Sequence, residues 1–303
     1  MRICRGLDEV TPTKRAVAIG VFDGVHRGHQ AVIGDALAWA SERGTAAAAV
    51  TFEPHPESIL RPERTPELIM PLELKVEAVE ALGCDELIVI GFDREFSLIE
   101  PADFCKQVLA DSLRAVRVSV GANFHFGRGA RADGSYLVKQ GFELGYETSV
   151  VELVEAHGGT ISSSRIRALV RDGELEEAAT LLDRNFTLHG SVVAGAGRGR
   201  ELGFPTANIE PGRGYLVPAF GVYAALANER WAAAVNVGQR PTFEHDGRPL
   251  VEAYLLDYDG DLYGCDLRLT FIERLRDELK FDSAEQLIDQ MHHDVERTRT
   301  ALC

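Results

Sequence analysis

The hydrophobic rhythm of the chain changes once, near residue 185, and that change constrains the fold more than any other feature. Before it, short apolar runs alternate with helical patterns. Residues 15–21, 46–52, 86–90, 116–120 and 147–153 are strand-like, and residues 28–43, 71–82, 100–113 and 135–144 between them are helix-like. Such alternation builds βαβ units on a parallel sheet. Residues 166–182 read as one more amphipathic helix, with Arg171, Asp172, Glu174, Glu176 and Glu177 as its solvated face. After the change, residues 186–194, 222–227, 231–237, 250–256 and 267–272 are strand-like and are joined by glycine- and proline-rich loops. Closely spaced strands without helices point to an antiparallel barrel or sandwich. One helix closes the chain: Ser283 with Gln286 makes a capping-box pattern, and Leu287, Ile288, Met291 and Val295 mark one face. The 303 residues suit two domains, expected at residues 1–183 and 184–303.

Charge limits the partners. Residues 1–185 carry 20 basic and 29 acidic groups, and residues 186–303 carry 12 and 18, so both parts share the net charge of −15. Neither has the basic surplus that a phosphate backbone requires, so nucleic acid is disfavoured and an anionic substrate must be held by local dipoles and a few placed cations. No apolar run approaches the ~20 residues of a membrane span, and no apolar signal core follows the basic N-terminus. Cys4, Cys84, Cys105, Cys265 and Cys303 are odd in number and scattered, which fits a reducing cytoplasm and gives no disulfide or zinc framework.

Two segments carry chemistry. After a buried strand, residues 21–29 read V-F-D-G-V-H-R-G-H and lead into a helix. A strand feeding a glycine turn and a helix N-terminus is a phosphate cradle, because backbone N–H groups and the positive dipole end face one point. Gly20, Phe22, Asp23, Gly24 and Gly28 are candidate nucleotide-binding residues here. His26 and His29, three apart, lie on one side of the first turn, where both can donate to phosphate oxygens. As a zinc pair they would need further ligands, with His55 the one nearby candidate.

In the second part, residues 195–203 hold four glycines and two arginines and precede F-P-T-A-N. Gly197, Arg198 and Gly203 suit anion binding, although a plain surface loop has the same composition. Thr206 and Asn208 are two apart and share a side in an extended segment, where a hydroxyl and an amide oxygen can hold Mg²⁺ with phosphate oxygens.

The first string resembles the H-x-G-H signature of the nucleotidylyltransferases, and I-S-S-S-R-I-R at residues 161–167 is similar to a second signature of that family, with Ser164 where threonine is usual. T-F-E-P-H-P (51–56) and G-A-N-F-H-F-G (121–127) resemble its flavin-specific branch. G-R-G-R-E-L-G-F-P-T-A-N (197–208), N-V-G-Q-R-P-T (236–242), V-E-A-Y (251–254) and L-R-D-E-L-K-F (275–281) are similar to riboflavin kinase motifs. Together the motifs resemble the bacterial bifunctional riboflavin kinase/FAD synthetases and cover nearly the whole chain.

The resemblance implies a Rossmann-like α/β nucleotidylyltransferase domain, then a six-stranded antiparallel barrel with a C-terminal helix. It implies that riboflavin is phosphorylated to FMN with ATP and that FMN is adenylylated to FAD with release of pyrophosphate. By resemblance, His26, His29 and Arg167 contact ATP phosphates together with Ser162 and Ser163. Asn123 lines the nucleotide pocket, His55 and Phe126 lie near flavin, Glu252 is the kinase base, Thr206 and Asn208 position Mg²⁺-ATP, and Arg276 closes the flavin pocket. The chain departs from the family at residues 182–186, L-D-R-N-F, where glycine and proline are replaced and the turn chemistry changes. Three other readings stay open from the residues: one activity retained, a flavin-binding protein without turnover, and an adenylyltransferase for another small phosphate.

Overall fold

In a computed structural model, residues 1–195, 203–239 and 249–302 are described. They form two compact units: residues 1–66 with 72–163, and residues 67–71 with 164–302.

The first unit is a parallel sheet of six strands. These are β1 (Arg2–Cys4), β2 (Arg15–Ile19), β3 (Ala46–Glu53), β4 (Glu86–Gly91), β5 (Ala115–Gly121) and β8 (Glu147–Val151), in the order β1-β4-β3-β2-β5-β8. The helices are α1 (Arg27–Arg43), the short α2 (Pro56–Leu60), α3 (Leu72–Ala81), α4 (Pro101–Asp103, continuing as a π-helix over Phe104–Ser112) and α5 (Gly134–Leu144). Two short hairpins, β6 (His125–Phe126) with β7 (Ala132–Asp133) and β9 (Glu155–Ala156) with β10 (Gly159–Thr160), complete it. β2 is buried along its whole length, as a central parallel strand must be. Successive strands are laid on one side of β2 up to β4 and on the other from β5, so the order reverses beside β2. In open α/β sheets that reversal point is where ligands bind, beyond the carboxyl ends of the strands.

Expected and observed strands agree to within two residues at either end in the six-stranded sheet, except that β1 is additional, as are the two-residue strands of the hairpins. β1 is three residues long and has no periodicity to read. At the opposite, amino end of the sheet, Arg15 is fully buried. Its Nε donates to Glu86 at 2.8 Å, and its Nη2 donates to the Thr11 carbonyl at 2.8 Å and the Thr13 hydroxyl at 2.9 Å.

The second unit contains a closed barrel with strands β11 (Thr187–Val193), β12 (Ala207–Pro211), β13 (Gly221–Ala227), β14 (Trp231–Gln239), β15 (Pro249–Leu255) and β16 (Asp266–Arg276), ordered β11-β12-β15-β14-β13-β16 and antiparallel throughout. Five of these were expected; β12 is the sixth. Side chains alternate inward and outward. Val235, Val237, Val251, Ala253, Leu269, Phe271 and Tyr223 fill the interior, and the Tyr223 hydroxyl donates to the Ala219 carbonyl at 2.6 Å.

The expected single helix over residues 166–182 is two helices, α6 (Ser163–Asp172) and α7 (Leu175–Leu182). Gly173, at φ 81, breaks the pattern without moving the apolar face enough to show in the periodicity. Arg165 and Glu177 tie the two together at 2.6 Å. The last helix, α8 (Ala284–Leu302), lies on the outside of β13, β14 and β16, where Ala301 packs on Val222, Ala224 and Leu275. At its start the Gln286 N–H bonds the Ser283 hydroxyl at 3.2 Å, but the Gln286 side chain accepts from Asp282, one residue earlier than a capping box requires.

The altered junction still ends α7 with a left-handed cap: Asp183 has φ 61 and its N–H reaches the Ala179 carbonyl. Glycine is the usual residue there because it has no Cβ to crowd the following carbonyl. Asp183→Gly is therefore expected to stabilise the second unit by about 0.5 kcal/mol. Urea unfolding followed by tryptophan fluorescence measures it, and an unchanged or lower midpoint contradicts the strain argument.

Candidate active sites

At the carboxyl end of β2 the chain makes a turn that only a particular sequence allows. Gly20 extends the ladder, its N–H reaching the Val50 carbonyl at 3.1 Å. A Cβ on Gly20 would sit 2.7 Å from the Phe22 ring, which folds back into the core from a backbone at φ 52. Gly24 follows at φ 88 and Val25 at φ 39. Phe22, Asp23 and Val25 are all buried.

His26 is the N-cap of α1, and its Nδ1 accepts the His29 N–H at 3.3 Å. That bond requires the ring proton on Nε2, which leaves Nε2–H as a donor. The two imidazoles stack with centroids 3.5 Å apart and planes 17° apart, and Phe22 meets His29 edge-on at 5.3 Å. Gly28 permits the stack, since a Cβ there would come within 3.2 Å of the His26 ring. The Ser163 hydroxyl donates to the Asp23 carbonyl at 2.9 Å, so the structure joins the second serine of the I-S-S-S segment to the turn. Ser162 precedes it, half-buried.

The other residues expected in this unit are placed less directly. Asn123 is exposed just beyond β5, with its Oδ1 against the position of a Gly121 Cβ. His55 is the N-cap of α2: its Nδ1 accepts the Glu57 N–H at 3.2 Å. Phe126 is buried inside an aromatic cluster, 5.1 Å from Phe104 and 6.0 Å from Tyr136. The half-buried neighbour stacked on it at 5.7 Å, Phe124, was not singled out by the sequence, although it lies in the same motif. Arg167 belongs to the second unit, where it is buried and its Nε donates to the Glu67 carbonyl at 2.7 Å.

On the barrel, register assembles a site that residue spacing alone does not show. Glu252 on β15 pairs with Asn208 on β12 and with Asn236 on β14; Asn236 pairs with Val222, and Val222 with Arg276. Directly paired residues share a face. Because Val251, Ala253 and Leu255 point inward, this row is on the outer wall. Asn236 is a site residue the sequence reading missed; it lay inside a quoted motif, but only strand pairing places it beside Glu252.

Thr206, half-buried, immediately precedes β12. The Asn208 carboxamide occupies the space a Cβ on Gly195 would need. Gly203 has φ 86. Phe204 packs edge-on against Tyr254 at 5.3 Å and His292 of α8 at 4.9 Å. Gly197 and Arg198 lie outside the described residues. Thr206 and Asn208 present a hydroxyl and an amide oxygen beside a carboxylate, a hard-oxygen set that suits Mg²⁺. Among the described residues no three His, Cys, Asp or Glu side chains cluster as metal ligands.

Arg276 is fixed by Asp294 of α8. Its Nη2 and Nε donate to the buried carboxylate at 2.7 and 3.0 Å, and Gln290 adds a bond to the same carboxylate at 2.8 Å. The Thr298 hydroxyl donates to the Asp294 carbonyl at 2.8 Å. The fully buried positions of α8 are thus polar, while its expected apolar face is half-buried.

Residues 8–165 match the FAD synthetase family and residues 182–302 the riboflavin kinase family. The bifunctional riboflavin kinase/FMN adenylyltransferase of Listeria monocytogenes is 36% identical over 296 residues, covering 96% of this chain and 94% of the relative. That of Pseudomonas fluorescens is 34% identical over 304 residues, covering 99% and 97%. A solved Streptococcus pneumoniae structure described as a macrolide-efflux protein superposes with a TM-score of 0.87 at 31% identity, covering 98% of each chain. Among the described residues, no helix here is long and apolar enough to cross a membrane.

Replacing Asp294 by Asn removes the charge that compensates Arg276 inside the wall. Breaking a buried pair from one side costs about 3 kcal/mol. Chemical denaturation of Asp294→Asn should show a loss of that order; a loss below about 0.5 kcal/mol would place the pair among weak surface bridges.

Proposed function

We propose the following chemistry for this chain, which belongs to the family of bifunctional riboflavin kinase/FMN adenylyltransferases. The C-terminal domain phosphorylates riboflavin to FMN, and the N-terminal domain adenylylates FMN to FAD.

In the kinase step Glu252 accepts the proton of the ribityl 5′-hydroxyl as that oxygen attacks the γ-phosphorus of ATP, and ADP leaves. The observation that carries this reading is the register: the carboxylate is flanked by Asn208 and Asn236 on both neighbouring strands. Thr206 and Asn208 would hold Mg²⁺, which would supply neutralisation of the phosphate charge. Gly197, Arg198 and Gly203 belong to the phosphate loop. Arg276, anchored to Asp294, borders the flavin.

In the adenylyl step the FMN phosphate attacks the α-phosphorus of ATP in line and pyrophosphate leaves, with no protein nucleophile. Alignment and charge stabilisation are the protein's work. His26, through Nε2–H, and His29 donate to phosphate oxygens above the turn formed by Gly20, Phe22, Asp23, Gly24 and Gly28. Ser162 and Ser163 serve the same phosphates. The family motif assigns Arg167 a phosphate contact, Asn123 the nucleotide, and His55 and Phe126 the flavin.

We draw the catalytic division at residues 1–183 and 184–303, which the left-handed cap at Asp183 supports. The partners are riboflavin, FMN and Mg²⁺-ATP, with no polyanion, in keeping with acidity in both parts. A cytoplasmic location agrees with the cysteines among the described residues, Cys4, Cys84, Cys105 and Cys265, being free.

The enzyme supplied with riboflavin and Mg²⁺-ATP should yield FMN and then FAD by chromatography. Glu252→Gln should lower FMN formation by roughly 10²–10⁴-fold and leave FMN-to-FAD conversion unchanged. His29→Ala should lower FAD formation by roughly 10²-fold and spare the kinase. The opposite pattern, or loss of both activities in a folded variant, refutes the assignment.

A further inference from the structure

Helix α3 presents two buried side chains to the sheet, Val79 and, one turn earlier, Lys75. A lysine on the core side of a helix is unusual, since Lys is almost never fully buried unless paired. Lys75 is 5% exposed. Its Nζ donates to the Val21 carbonyl at 3.0 Å and to the Thr51 hydroxyl at 3.3 Å, and that hydroxyl donates to the same carbonyl at 2.8 Å. One backbone oxygen is therefore held by two side chains from two different elements.

That oxygen is placed where the cradle begins. Val21 is followed by Phe22 at φ 52, and the turn ends with Val25 at φ 39. A β-branched residue at positive φ persists only when its surroundings over-determine it. The carbonyls of the turn show how this is done. Val21 is held by Thr51 and Lys75, Phe22 by the Val25 N–H at 3.2 Å, Asp23 by Ser163 at 2.9 Å, and Val25 by the Gln30 carboxamide at 3.0 Å. Among these partners Lys75 carries the charge.

We propose that Lys75 is a positioning residue of the adenylyl-transfer site: its ammonium fixes the Val21 carbonyl at the start of the phosphate turn and balances the buried Asp23 carboxylate within it. The inference rests on the adenylyltransferase reading of this turn. Asp23 is 2% exposed, so its charge sits inside the wall of a cradle meant for anions. Burial pulls the Lys75 pKa below the ordinary lysine value, and the carboxylates of Asp23 and Glu53 act in the opposite direction. The ammonium thus feels both carboxylates. Without it, Asp23 would face incoming phosphates with less of its charge offset, and the strained turn would lose one of its holders.

The full-length enzyme with Lys75→Met tests this by steady-state kinetics of both reactions. The expected result is a rise of roughly 10-fold in the KM for ATP of the adenylyl reaction, with the KM for FMN unchanged and riboflavin phosphorylation at the wild-type rate. A merely structural loss would lower the active fraction and leave both KM values alone. The variant Lys75→Met/Asp23→Asn should lose no more than the worse single variant, because the charge that lysine balances is gone. An unchanged KM for ATP, or losses that multiply in the double variant, overturns the proposal. If Lys75→Met does not fold, Thr51→Val removes the shared hydroxyl at nearly constant volume, and about a 3-fold rise in the same KM is expected; no rise counts against the proposal. Wild-type enzyme without FMN-to-FAD activity would instead refute the reading on which it rests.

Discussion

A turn can present donors to an anion only if its acceptors are bonded elsewhere, and this requirement organises the first unit. Backbone carbonyls repel phosphate as strongly as N–H groups attract it. Within the turn the carbonyls of Val21, Phe22, Asp23 and Val25 are tied back, to Thr51, Lys75, Ser163, Gln30 or the turn itself. These partners come from β3, α3, α6 and α1, so four elements converge on one turn. The central strand places it, the reversal of strand order beside β2 leaves room above it, and His26 and His29 complete the helix end.

The barrel meets a different constraint. Its interior is closed by apolar side chains, Tyr223 and Phe271 among them, so chemistry has to be carried on the outer wall. Polar residues there need a cover that excludes water without leaving charges unpaired. Helix α8 supplies it through Asp294 rather than through an apolar stripe. The carboxylate that neutralises Arg276 also fixes where that guanidinium can reach. Glu252 is placed by its strand, with Asn208 and Asn236 beside it in register.

Much of this was legible in the residues. Alternating rhythm gave the parallel sheet, and the change near residue 185 gave the barrel, because both are periodicities of burial. The motifs marked both candidate sites. What escaped was carried by long-range pairing or by single backbone torsions. β12 was not read as a strand because its five residues follow a proline and a loop. Asn236 becomes a site residue only when β14 is laid beside β15. The break at Gly173 changes one torsion while the apolar face continues on both sides. Lys75 sits in a good helical pattern, and nothing in that pattern says that its face is the buried one.

The net charge of −15 is compatible with substrates that are themselves anions, because binding need not rest on a diffuse field. Lys75 and Arg167 donate to backbone carbonyls, and Arg276 is paired with the buried Asp294 carboxylate. A diffuse positive field would attract polyanions and would be screened within about 10 Å at ordinary salt. Oriented N–H groups and imidazole donors act at hydrogen-bond distance, where salt screens them far less. Net acidity in both parts is no obstacle to contacts of that range.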